Sequence, residues 1–212
     1  LEPENIKFIM SKIKLLERCN RLDEAMVLLK KSSKKFPENE IISLELARFL
    51  GLHGNKTLSE KEFNKLSSMR EKDSRFLNYQ IELKMNSKDL NAAQKLSKEC
   101  LTLFPKDTLS RTYLGDVLFE QERYTASLRE YTYLISMMEN NDDYFLYYPH
   151  LKNIRLSELY IKQASTFEKM QDQQAQCDAL KKALSNLSQL YGVYDKENLK
   201  KSLEEKIKTL CN

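Results

Sequence analysis

Arg21–Asn39 reads RLDEAMVLLKKSSKKFPEN and, 68 residues further on, Asp89–Asp107 reads DLNAAQKLSKECLTLFPKD. Both segments place Leu second, Ala fifth and Leu eighth, the three-to-four-residue spacing of a helix that buries one stripe. Both then close in Phe-Pro, at Phe36-Pro37 and Phe104-Pro105. Proline stops a helix cleanly because it cannot continue the backbone hydrogen-bond ladder. Two residues after each proline stands Asn39 or Asp107, whose short side-chain oxygen suits the start of the next helix. A separation of 68 is two periods of 34, so the chain has to be tested for a repeat of that length.

Stepping by 34 from Asn5 meets Asn39, Asp73, Asp107 and Asn141, all Asn or Asp. Each is read as an N-cap that accepts an orphan N–H of a helix's first turn. Other columns keep the register. Ala25, Ser59, Ala93 and Ser127 are small, as a close helix crossing requires, and Leu15, Phe49, Leu83 and Val117 are apolar. Leu29, Phe63 and Tyr131 fill the space beside the crossing, where the third unit has Ser97. The units are therefore 6–39, 40–73, 74–107 and 108–141, each a helical hairpin around a polar break such as GLHGNKTL or KMNSKDLN. A fifth, from about 157 to 190, is traced through Tyr160, Ala164, Phe167, Leu180, Ala183 and Leu184 after a 15-residue insertion at 142–156. The insertion carries Tyr144, Phe145, Tyr147, Tyr148 and Pro149 and is expected to lengthen the fifth hairpin's first helix, with a kink or restart at the proline. Asp195 could cap a final helix, about 195–211, striped with Leu199, Leu203, Ile207 and Leu210. Stacked hairpins bury in each other what none can bury alone. The fold class is thus all-α, a right-handed α-solenoid in one array over 1–212 with a C-terminal capping helix.

At these residues the chain resembles the tetratricopeptide repeat family. The fourth unit carries the likeness best, TYLGDVLFEQERYTASLREYTYLI, where Leu114-Gly115, Leu118, Tyr124, Ser127 and Tyr131 match the family's Leu-Gly, aromatic, small and aromatic positions. The other units depart from it: no Trp occurs, and Ile13, Ala47 and Ile81 stand where the family places glycine. The resemblance implies a non-catalytic adaptor or scaffold that holds a partner's peptide or helix in a groove lined by the first helix of each hairpin. By position that groove presents Lys7, Met10, Lys14, Arg18, Leu44, Arg48, Arg75, Asn78, Tyr79, Thr112, Tyr113, Asp116 and Phe119. Its basic first half suits an acidic segment with a hydrophobic anchor. The aromatics Tyr144, Phe145, Tyr147 and Tyr148 form a second candidate contact. The carboxylate clamp of chaperone-binding members is not matched: the corresponding residues are Met10, Lys14, Glu45, Arg75 and Tyr79, or one unit later Leu44, Arg48, Tyr79, Leu109 and Tyr113, and only Arg75 fits.

Composition sets further limits. Thirty-five basic against 31 acidic residues, net +4, is too balanced for a dedicated polyanion binder. An RNA-binding pentatricopeptide array is the alternative from another class, but its longer period would slip against caps that hold at 34. A sensor or assembly segment of a larger regulatory protein is the alternative among binding modules, in keeping with an initial Leu in place of Met. No GxGxxG, Walker loop, HExxH, nucleophile elbow or CxxC is present, so no enzyme, metal or cofactor is expected. Cys19, Cys100, Cys177 and Cys211 lie far apart and read as reduced thiols in or near a helical core. With no apolar run of membrane-spanning length, that reading points to an intracellular, cytoplasmic location, with the nucleus as the other compartment.

Overall fold

The computed structural model describes residues 5–140, 149–189 and 196–211, and every regular element among them is helical. Contacts cluster into two compact units, Leu1–Pro105 and Lys106–Asn212. The first holds three hairpins: α1 (Ile6–Arg18) with α2 (Leu22–Lys35), α3 (Glu40–His53) with α4 (Lys56–Lys65), and α5 (Ser74–Asn86) with α6 (Leu90–Leu103). The second contains α7 (Thr108–Glu120) with α8 (Tyr124–Asn140), α9 (Pro149–Lys169) with α10 (Gln173–Ser188), and α11 (Glu197–Leu210).

The periodic Asn and Asp residues do what their chemistry suggests. Asn5, Asn39, Asp73 and Asp107 precede α1, α3, α5 and α7 and accept from the backbone N–H of Lys7, Ile42, Arg75 and Ser110. The remaining residue of the series, Asn141, lies outside the described residues. A second marker of the period is conformational. Asn20, Lys88 and Glu122, at the tips of their hairpins, have φ of 56°, 59° and 60°. The N–H of the following residue reaches back to Leu16, Lys84 or Leu118 at 2.8 to 2.9 Å, the bond that ends a helix in a left-handed residue. In the fifth hairpin Gln171 takes this role with φ 59°. It falls one period plus the 15-residue insertion after Glu122. Pro149 opens α9 at the first helical position, where its missing N–H is no loss. At 21 residues α9 is longer than the 13 of α7.

Within the hairpins, large and small residues trade places. Ala47 opposes Phe63 in register, Ile81 opposes Ser97 and Gly115 opposes Tyr131, all buried. In the third hairpin Ile81 stands where the fourth has Gly115, and Ser97 where it has Tyr131. The Gly115 site is tight: a Cβ there would lie 2.5 Å from Tyr131 Cε1. Where the crossing residue is Ser, its hydroxyl donates across the hairpin, Ser59 to Ala47 O at 2.7 Å and Ser127 to Gly115 O at 2.8 Å.

One expectation needs correction. Cys177 and Cys211 are not reduced thiols; they form a disulfide with Cα atoms 5.7 Å apart, tying α10 to the end of α11. Cys19 and Cys100 remain free. Reduced cysteines therefore no longer argue for an intracellular compartment. No helix among the described residues is long and apolar enough to cross a membrane. Helix α11 buries Leu203 and packs Leu199, Ile207 and Leu210 against the core of the second unit. Its N-cap is Lys196 without a side-chain bond, and Asp195 lies outside the described residues.

Candidate functional site

In the first unit, α1, α3 and α5 each turn one face toward a shared concavity of about 370 Å³, lined by Ile6, Lys7, Met10, Ser11, Lys14, Ile41, Leu44, Arg75 and Tyr79. Residues 7, 10 and 14 of α1 share a face because 3.6 residues make a turn. Leu44, 1% exposed, forms the floor, while Lys7, Lys14 and Arg75 stand exposed at the rim. Arg75 turns back on its own helix start, with Nε 2.9 Å from Asp73 Oδ2, and that hydrogen bond holds the Asp73 carboxyl below its usual range. Lys7 and Lys14 have no ion-pair partner among the described residues.

Beneath the concavity lies a buried polar network. Arg48 Nη2 sits 2.5 Å from Glu17 Oε2 and 2.6 Å from Glu45 Oε1, and Nη1 is 3.6 Å from Glu82 Oε2. Glu45 is fully buried, and its other oxygen accepts the Tyr79 hydroxyl at 2.8 Å. His53 Nε2 contacts Glu17 Oε1 at 2.8 Å. Three helices are thus joined through one guanidinium. Burial opposes the charge on Arg48, but Glu45, Glu17 and Glu82 outweigh it and push its pKa upward. Burial would raise Glu17, yet hydrogen bonds from Arg48 and His53 prevail and lower it. At Glu82 burial prevails over Arg48 and the carboxyl is raised. Burial, then the charge of Glu45, raises the Tyr79 hydroxyl.

Of the residues expected to line a groove, the concavity gathers Lys7, Met10, Lys14, Leu44, Arg75 and Tyr79. Arg18 is exposed but off its lining. Arg48 and Asn78 are 7% and 2% exposed, so neither offers a partner a free side chain. Arg48 looked like a rim cation because it continues the column of Lys14, and its burial follows from the three carboxylates around it. Thr112, Tyr113, Asp116 and Phe119 are half-buried on α7 in the second unit. There Asp116 accepts from Tyr131 and Lys162, both at 2.6 Å, and Phe119 meets Tyr124 edge-on. Tyr144, Phe145, Tyr147 and Tyr148 lie outside the described residues. Sequence reasoning missed Ile6, Ser11 and Ile41. The period could have found two of them, since Ser11 lies two periods before Tyr79 and Ile41 stands 34 from both Lys7 and Arg75.

Capped 34-residue hairpins of this kind define the tetratricopeptide-repeat fold, and the chain is a protein of that fold. No family model matches its sequence, and no curated protein does. Among solved structures, a thermophilic TPR protein of Thermus thermophilus, TTC0263, superimposes with TM-score 0.67 at 13% identity over 97% of this chain and 98% of its own. The Cut9–Hcn1 hetero-tetramer of the APC/C gives TM-score 0.65 at 15% identity, over 87% of this chain but 34% of that one. MamA gives 0.57 at 15% identity, over 84% of this chain and 95% of its own.

Proposed function

We propose that this chain is a non-catalytic protein-interaction module whose first unit receives an acidic segment of a partner with a hydrophobic anchor. The supporting observation is the concavity: an apolar floor of Met10, Ile41 and Leu44 beneath Lys7, Lys14 and Arg75. Apolar burial supplies affinity in such a site, and the rim lysines supply encounter rate and choice of partner. Arg48 serves it from below by fixing Glu45, which in turn orients Tyr79.

The test is affinity capture from the native source with the wild type and with a Lys7→Glu, Lys14→Glu double variant, both positions being exposed on α1. Partners bound in the concavity drop out of the variant's eluate. Recovery of the same partners at the same yield refutes the assignment.

A further inference from the structure

The first hairpin carries an apolar stripe whose counterparts elsewhere in the unit are covered by a helix. Leu15 is 58% exposed and Phe8 43%, and with Lys12 and Cys19 they follow i, i+4, i+7 and i+11 along and just beyond α1, away from the concavity. One period later Phe49 and Ile42 are 1% and 0% exposed, and in the third hairpin Phe76 is 2% exposed and Leu83 half-buried. The residues that cover these positions are visible: Phe49 packs in one cluster with Ala25 and Leu29 of α2, and Phe76 meets Phe63 of α4 edge-on at 5.5 Å. In each case the cover is the second helix of the preceding hairpin. The hairpin 5–39 is also strongly basic, with nine Lys or Arg against four Asp or Glu, net +5 in a chain of net +4.

We infer that the Phe8–Leu15 face of α1 is a docking surface for an acidic amphipathic helix of a partner protein, which takes the place that α2 and α4 take in the later hairpins. The stripe sets the apolar spacing of that helix, and the charge of the hairpin sets its acidic flanks. Self-docking through α2 is disfavoured, because its exposed Lys30, Lys31, Lys34 and Lys35 would meet a surface of the same sign.

The probe is a stapled 14-residue helix with the apolar spacing of α2 and Glu in place of those four lysines, compared with the same helix keeping them; stapling is required because so short a helix is marginal in water. Fluorescence anisotropy reads affinity, and slowed alkylation of the exposed Cys19 locates the bound helix. The acidic helix binds and protects Cys19, and Leu15→Ser and Phe8→Ser each weaken it by at least about tenfold. The inference is overturned if the acidic helix binds no better than the basic one, if Leu15→Ser has no effect, or if the wild type self-associates in ultracentrifugation through Leu15.

Discussion

Replacing Arg48 by Met keeps much of the buried stem and removes the guanidinium that faces Glu17, Glu45 and Glu82 together. Glu45, with no exposure to solvent, would then hold a buried carboxylate against the Tyr79 hydroxyl without a balancing charge beside it. Removing one partner of a buried ion pair costs about 3–5 kcal/mol, a large share of the roughly 5–15 kcal/mol that hold a domain folded. The dependence on pH is the sharper signature. Glu82, which burial already raises against the pull of Arg48, is raised further without it, and Glu17 loses the Arg48 hydrogen bond that helps to lower it. A raised group favours folding below its unfolded pKa and loses that advantage as pH rises, so the defect is greatest at pH 7 and shrinks toward pH 4. Each carboxyl that takes up a proton returns about 1.4 kcal/mol per pH unit. Because the chain has two units, hydrogen exchange of α3 in the first is the appropriate readout, taken at both pH values for wild type and variant. A loss under about 1 kcal/mol at pH 7, or one that grows on acidification, would refute the buried network and return Arg48 to the rim.

Gly115→Ala should cost about 1–3 kcal/mol by thermal unfolding, since its Cβ would meet the Tyr131 ring; the double change with Tyr131→Leu should recover most of it, because the fifth hairpin carries Ala164 and Leu180 in the same two columns. Glu122→Gly should stabilise the second unit by about 0.5–1 kcal/mol, relief of the left-handed φ outweighing the added freedom of the unfolded chain. Alkylation of the denatured, unreduced protein should label two cysteines of four by mass, and the Cys177→Ser, Cys211→Ser variant should lose up to about 4 kcal/mol in the chain-entropy view of a 34-residue loop.

The elements legible in the sequence were those set by local chemistry. An N-cap is a property of one residue and the three after it, so Asn5, Asn39, Asp73 and Asp107 announced four helix starts without any knowledge of packing. Apolar columns such as Phe49 and Val117 were legible for the same reason, but Leu15 shared the pattern and is exposed, because burial there depends on a neighbour that periodicity does not supply. Arg48 was misread because a column of groove positions fixes direction and not depth. A clue existed in Glu45 three residues before it and Glu82 one period after it, opposite charges at distances the repeat makes short. The Cys177–Cys211 pairing had no local mark at all, since it exists only when α11 folds back on α10.

The exchange of size between facing columns has a consequence for how chains like this one are recognised. Ala47 with Phe63, Ile81 with Ser97 and Gly115 with Tyr131 are the same two register positions, each pairing a large side chain with a small one, so a pair can keep its combined volume while either position changes. Each column taken singly is then free to drift, and a motif that scores columns one by one reads compensated change as lost signal. Coordinates compare backbone path directly, and solved TPR structures align over most of a chain that shares about one residue in seven with them.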